Sequence, residues 1–211
     1  MNTYIIDYGT SNLGSIYQAI DKLGFNAEII SNPKSLNGVD KIVLPGVGSF
    51  SQASFELKSN GWFDEIKEHV LSRKKSILGI CLGMQLLASE GSEGATNGCS
   101  TAGLDLIPGN VRSVKVGKNL VLPHVGWNSL NWNTNTNPIS RGIPDGGDMY
   151  YVHSYCFQAS DPKHVLANTN YGEDFTSVVG KNKCYGVQFH PEKSQRLGRR
   201  LLENFLTLPA C

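Results

Sequence analysis

The chain has 211 residues, 40% of them hydrophobic and 18% charged, enough to bury a sizeable core as one domain and too few for two full ones. Its 19 Lys and Arg against 18 Asp and Glu leave a formal net charge of +1, which excludes the basic footprint of a nucleic-acid or anionic-membrane binder. The longest apolar run, Ile77 to Ala88, is interrupted by Gln85 and falls short of the roughly 20 residues of a membrane-spanning helix. Met1-Asn2-Thr3 has neither the basic segment nor the cleavage site of a signal peptide, so a soluble, cytosolic protein is expected.

The first ninety or so residues alternate strand-like and helix-like periods, the pattern of successive βα units over a mainly parallel sheet. Thr3 to Asp7 reads as a buried strand. Leu13, Ile16, Tyr17, Ile20 and Leu23 follow at helical spacing, with Ser11 or Asn12 as cap and Gly24 as stop. Ala27 to Ile30 and Lys41 to Leu44 read as further strands, and Ser49-Phe50-Ser51-Gln52 fits a capping box that opens another helix. Phe63, Ile66, Val70 and Leu71 mark the next helical stripe. Ser76 to Ile80 is a short apolar strand running into Cys81, and Leu82 to Ala88 is helical in character, so position 81 is a strand-to-helix turn.

Glu90 to Gly103 is rich in Gly, Ser, Thr and Asn and is expected to be a surface loop. Beyond Leu104 the period shifts towards two, with β-like runs at Asn110 to Val116, Tyr150 to Phe157, His164 to Asn168, Phe175 to Val179 and Tyr185 to His190. The second half should therefore carry antiparallel strands, with a hairpin turn at Gly180-Lys181-Asn182-Lys183. Leu197, Leu201, Phe205 and Leu208 form one stripe of a C-terminal helix. The expected fold is α/β: a mainly parallel central sheet flanked by helices, with additional antiparallel strands in the C-terminal half.

The five cysteines, Cys81, Cys99, Cys156, Cys184 and Cys211, are odd in number and scattered without a C-x-x-C pair, which points away from a disulfide framework or zinc ribbon and towards free thiols. Gly79-Ile80-Cys81-Leu82-Gly83 has the G-x-C-x-G form of a nucleophile elbow, in which glycines permit a tight turn that exposes the side chain above the sheet. Taken alone, Cys81 reads equally as a small buried hydrophobe. A thiol nucleophile needs a base. His190 lies at a strand end in Phe189-His190-Pro191-Glu192, where the proline biases it to an extended conformation. Glu192 would then project to the same side and hold the imidazole tautomer; a structural His–Glu pair is the competing reading. No third ligand at metal-binding spacing accompanies them, and no cofactor is implied. Leu44-Pro45-Gly46-Val47-Gly48 follows a strand, and its glycines would let a backbone amide turn to a tetrahedral oxyanion.

The order oxyanion loop, elbow cysteine and late H-P-E strongly resembles the class I (triad) glutamine amidotransferase family. The similarity runs along nearly the whole chain, carried also by Pro123-His124-Val125-Gly126-Trp127-Asn128, Tyr151-Val152-His153-Ser154-Tyr155 and Tyr185 to Ser194. It implies a flavodoxin-like fold and a single glutaminase domain over residues 1–211. By the same resemblance Cys81 attacks the side-chain amide of glutamine, His190 shuttles the proton to ammonia and Glu192 orients His190. Backbone amides of Leu82 and of Val47 or Gly48 would meet the oxyanion, while Gln85, Ser154 and Tyr155 would hold glutamine. The resemblance also implies a heterodimer partner, a (βα)₈-barrel cyclase that takes up the ammonia in histidine biosynthesis, with Asn12, His124, Trp127, Tyr150 and Lys193 at the interface. Three other readings share these residues: an ammonia donor for amidination of a bacterial surface sugar, a stand-alone γ-glutamyl hydrolase, and a binding module that has kept the scaffold without the chemistry.

Overall fold

A computed structural model describes residues 2–9, 12–95, 99–133 and 136–209. In chain order the elements are β1 (Thr3–Ile6), α1 (Leu13–Asp21), β2 (Ala27–Ile30), β3 (Lys41–Leu44), α2 (Phe50–Ser59), α3 (Trp62–Lys67), β4 (Ser76–Ile80), α4 (Leu82–Gln85), β5 (Glu90–Gly91) and β6 (Thr101–Ala102). They continue with β7 (Gly109–Ser113), β8 (His124–Trp132), β9 (Gly147–His153), β10 (Tyr155–Ala159), β11 (Val165–Asn170), β12 (Asp174–Lys181), β13 (Cys184–Val187) and α5 (Gln195–Leu206).

The strands form one mixed sheet. Five neighbours, β2-β1-β3-β4-β13, run parallel, and β3 and β4 are buried at every position because helices cover both faces. On one face Ile16 and Ile20 of α1 meet Leu201 and Phe205 of α5; on the other Phe50 and Leu57 of α2 meet Trp62 and Ile66 of α3. From β13 the sheet turns antiparallel through β12 and β10 to β7, while β11 leads from β12 to the long β8–β9 hairpin. The strand order 2-1-3-4 is flavodoxin-like, and such sheets gather function at the carboxyl ends of their parallel strands. The segments that follow β3, β4 and β13 are the ones that carry Val47, Cys81 and His190.

Several local expectations are corrected. Ser49 precedes α2 without making a side-chain cap; instead the Phe50 amide donates to Glu93 Oε2 at 3.1 Å. Asn12 occupies the cap position of α1 in a left-handed conformation, φ 83°, without capping it, because its side chain is used elsewhere. Ser11 and Cys211 lie outside the described residues. The 90–103 segment is not merely a loop, since β5 pairs with both β6 and β7. The α-helix after Cys81 ends at Gln85. The β-like run at 150–157 is two strands broken at Ser154, whose carbonyl accepts from Val114 N at 2.9 Å. Strand β8 escaped the period-two reading, because Pro123, Gly126 and its run of polar residues blur the alternation.

Candidate active site

Cys81 stands between β4 and α4 at φ 54°, ψ −110°, a region that costs a non-glycine residue about 1–3 kcal/mol and persists only where the surroundings impose it. Here they do. The Cys81 amide donates to Val187 O at 2.8 Å, and the Cys81 carbonyl accepts from Gln85 N at 3.2 Å. A Cβ at Gly83 would lie 1.8 Å from Leu44 O, and one at Gly79 2.5 Å from Gly83 O. The elbow glycines thus let the turn press directly against its own strand and against β3.

His190 follows β13 in an extended conformation, φ −97° and ψ 97°, as its proline predicted. Glu192 does not reach it through strand alternation. Pro191–Lys193 form a 3₁₀ turn, with Lys193 N on His190 O at 3.0 Å, because proline suits the first position of such a turn. The turn brings Glu192 Oε1 to 2.9 Å from His190 Nδ1 and leaves Nε2 for the thiol. Ser194 closes it, accepting from Tyr150 N at 3.0 Å and donating to His190 O at 2.7 Å. Burial lowers the affinity of His190 for a proton, but hydrogen bonds and charge from Cys81 and Glu192 outweigh it and push its pKa up to about 9. Burial likewise works to raise the Glu192 pKa, and the His190 partnership overcomes it and holds the carboxyl below its ordinary value.

A cavity of about 490 Å³ opens over the sulfur, lined by Asn12, Val47, Gly48, Leu82, Gln85, Ser154, Tyr155, His190 and Lys193 among others. Thus every residue expected to bind substrate or oxyanion faces one space. Gly48 has φ +100° with nothing within 4 Å of a Cβ position, so its glycine serves backbone freedom. Gln85 donates from Nε2 to Tyr155 O at 3.0 Å and to Gln188 Oε1 at 3.1 Å; with both hydrogens engaged, its oxygen is what remains for a ligand. The expected interface residues separate. Asn12 Nδ2 binds Glu192 Oε1 at 2.8 Å and Lys193 lies on the cavity rim. Trp127 and Tyr150 meet edge to face on the outer side of the β8–β9 hairpin. His124 is buried on the inner side, stacked on Tyr171 and 3.0 Å from His153 Nε2.

Three neighbours were not singled out from the sequence. Glu93 lines the cavity from the 90–103 segment, its pKa raised by burial against the opposing pull of the Phe50 amide. His153 lines it from the end of β9, and Gln188 lies 3.8 Å from Cys81 Sγ. Their signals were faint: Gln188 stands two residues before His190, whereas Glu93 is near in space only.

A family model for glutamine amidotransferase class-I matches residues 4–208. The chain belongs to the class-I glutamine amidotransferase family. This amidotransferase is 47% identical over 210 residues to "Imidazole glycerol phosphate synthase subunit HisH 1" of Prochlorococcus marinus (strain MIT 9313), covering 98% of this chain and 97% of that protein. It is 45% identical over 204 residues to the protein of the same name from Campylobacter jejuni subsp. jejuni serotype O:23/36 (strain 81-176), covering 97% and 98%. Among solved structures, one titled glutamine amidotransferase superposes with TM-score 0.73 at 20% identity, over 96% of each chain. A second, a glutamine amidotransferase from Thermotoga maritima, gives 0.68 at 18% identity over 99% of each chain. These two likenesses show the fold. Among the described residues, no helix is long and apolar enough to cross a membrane, and no three His, Cys, Asp or Glu side chains converge as a metal site.

Proposed function

We propose that this amidotransferase is the glutaminase subunit of an imidazole glycerol phosphate synthase. The observation that carries the reading is the strained elbow thiol and His190 in one cavity, with Glu192 hydrogen-bonded to His190 behind it. Cys81 sulfur attacks the side-chain carbonyl carbon of glutamine. The carbon–nitrogen bond breaks as His190 Nε2 gives its proton to departing ammonia, and water, deprotonated by His190, then releases glutamate from the thioester. The Leu82 amide and one from Val47 or Gly48 stabilise the oxyanion, a donor of this kind being worth roughly 10²–10³ in rate. Glu93 and the Gln85 oxygen, which is left over once both amide hydrogens are engaged, suit the substrate ammonium, and the backbone around Ser154 and Tyr155 helps to hold the same end of glutamine, away from the amide at Cys81.

Ammonia released into water at neutral pH is mostly protonated and no longer nucleophilic, so a glutaminase of this kind needs a receiver. In this reading residues 1–211 act as one unit and the receiver is a (βα)₈-barrel cyclase, which uses the ammonia to form imidazole glycerol phosphate and an aminoimidazole carboxamide ribotide. Two lines of support are the near full-length similarity to the named synthase subunits and an exposed apolar face that reaches the cavity at Val152. On that face Val125 is 55%, Trp127 47% and Val152 37% exposed, a composition suited to an interface core. Glutamate release tests the proposal, measured for the chain alone and then with a barrel cyclase and its nucleotide ligand, with Cys81→Ala as blank. Strong stimulation by the pair is expected. Fast Cys81-dependent hydrolysis without the partner would instead favour the stand-alone hydrolase.

A further inference from the structure

Gln188 is fully buried, stands two residues before His190 and has no part in the reaction as described above. Its backbone amide donates to Ser177 O at 2.9 Å, which anchors the segment leaving β13. The orientation of its side chain follows from a single carbonyl. Tyr155 O can only accept, and it takes Gln85 Nε2 at 3.0 Å and His153 Nδ1 at 2.8 Å. Since that Gln85 nitrogen is a donor, its 3.1 Å contact must be with the Gln188 oxygen, and the Gln188 nitrogen is turned to Cys81 Sγ at 3.8 Å.

The same carbonyl orders the protons on its other side. His153 carries hydrogen on Nδ1, so its Nε2 accepts from His124 Nδ1 at 3.0 Å. His124 Nε2 then accepts from Asn128 Nδ2 at 3.4 Å, whose amide also donates to Asn170 O at 2.9 Å. One arrangement of hydrogens satisfies the whole set, from β8 to the nucleophile, and both histidines in it are neutral. At the sulfur, Val152 O lies 3.7 Å away; a carbonyl suits a thiol and opposes a thiolate. Among the described residues, the side chains with a donor turned to the sulfur are His190 and Gln188.

We propose that Gln188 is a further catalytic residue, donating its side-chain N–H to the Cys81 sulfur and stabilising the thiolate, with Gln85 and the Tyr155 carbonyl as the positioning groups that keep the amide in that orientation. The proposal rests on the glutaminase reading only in taking Cys81 as nucleophile. The titratable groups facing this region are His190 with Glu192 behind it, His153 from β9, and Glu93 and Lys193 on the cavity wall.

The test is the pH dependence of Cys81 alkylation by iodoacetamide in the full chain, using Gln188→Met and Gln188→Glu, with Cys81→Ala reporting the other thiols. Hydrogen bonds to a charged form shift a titration by about one unit each. Half-maximal alkylation should therefore move up by about one pH unit in Gln188→Met, and further in Gln188→Glu, where a carboxylate faces the sulfur. Profiles that coincide with wild type overturn the proposal, whereas a purely structural role would change stability and leave the midpoint in place. If neither variant folds, the wild type decides through the side-chain ¹⁵N–¹H signals of Gln188. These should move with the Cys81 alkylation profile and stay fixed in Cys81→Ala; signals indifferent to pH in both overturn it. Because alkylation requires neither glutamine nor a partner, shifted midpoints in a chain that releases no glutamate even with the cyclase and its nucleotide ligand would retain this assignment and remove only the glutaminase reading.

Discussion

Asn12 Nδ2 and His190 Nδ1 converge on the same oxygen, Glu192 Oε1, at 2.8 and 2.9 Å, although Asn12 lies 180 residues from Glu192 in the chain. The carboxylate is fully buried and its other oxygen makes no hydrogen bond among the described residues, so these two donors fix its orientation. Asn12→Gly keeps the left-handed backbone and deletes the amide. Loss of one such bond to a charged group, about 1.5–3 kcal/mol, should slow glutaminase turnover by about tenfold or more and slow Cys81 alkylation in the chain without a partner. A defect that appeared only with the cyclase present would assign Asn12 to subunit contacts alone.

Replacing Cys81 tests the elbow strain. Gly in place of Ala ordinarily costs about 0.5–1 kcal/mol. At φ 54°, ψ −110° the order should invert, because glycine alone occupies this region without penalty. Cys81→Gly is expected to be more stable than Cys81→Ala by about 1 kcal/mol in urea unfolding, and both should be inactive. An equal or reversed ranking would show the turn to be unstrained.

Gly83→Ala should be far more damaging. Its Cβ would sit 1.8 Å from Leu44 O, a backbone atom of a buried strand, so β3 and the elbow cannot both keep their positions. A loss above about 4 kcal/mol is expected, seen as failure to accumulate as soluble protein. Gly48→Ala meets no atom within 4 Å; its φ of +100° should instead limit the damage to local strain and lowered turnover.

The paired histidines set an acid limit. Burial lowers both the His124 and the His153 pKa to about 4, below the ordinary value near 6.5. The unfolded chain therefore binds protons that the folded chain refuses. Stability is present in full above about pH 6.5 and is lost progressively as pH falls from there towards 4. His124→Phe retains a ring against Tyr171, 4.0 Å away between centroids, and should give a shallower decline of urea midpoint with acid, along with a lower midpoint at pH 7 because His153 Nε2 loses its partner. An unchanged slope would mean that His124 takes up its proton as readily in the folded as in the unfolded chain.

Trp127→Ala separates the outer face from the inner one. The side chain is 47% exposed and rests edge to face on Tyr150, with ring centroids 5.7 Å apart. Thermal stability of the chain should change little. In the proposed complex, stimulation of glutamate release by the cyclase should fall at least tenfold, consistent with an aromatic anchor; full stimulation in the variant would move the proposed docking surface elsewhere.

Local sequence determined the pieces whose physics is short-ranged. The strand-elbow-helix around Cys81 was legible because apolar β residues and two glycines leave few other conformations for Gly79 to Gly83. The Pro191 restriction likewise announced an extended His190, and the C-terminal stripe of Leu197, Leu201 and Phe205 announced α5. Tertiary structure decided what depends on contacts between distant segments. Asn12 reads as a helix cap until the turn after β13 delivers a carboxylate that its amide satisfies better. Ser49 loses its capping role to Glu93, 43 residues further on relative to Phe50, because a charged acceptor at a helix N-terminus outcompetes a hydroxyl. The orientation of Gln188 was beyond any periodicity: the amide can turn either way in the sequence, and one carbonyl on β10 selects the way it faces.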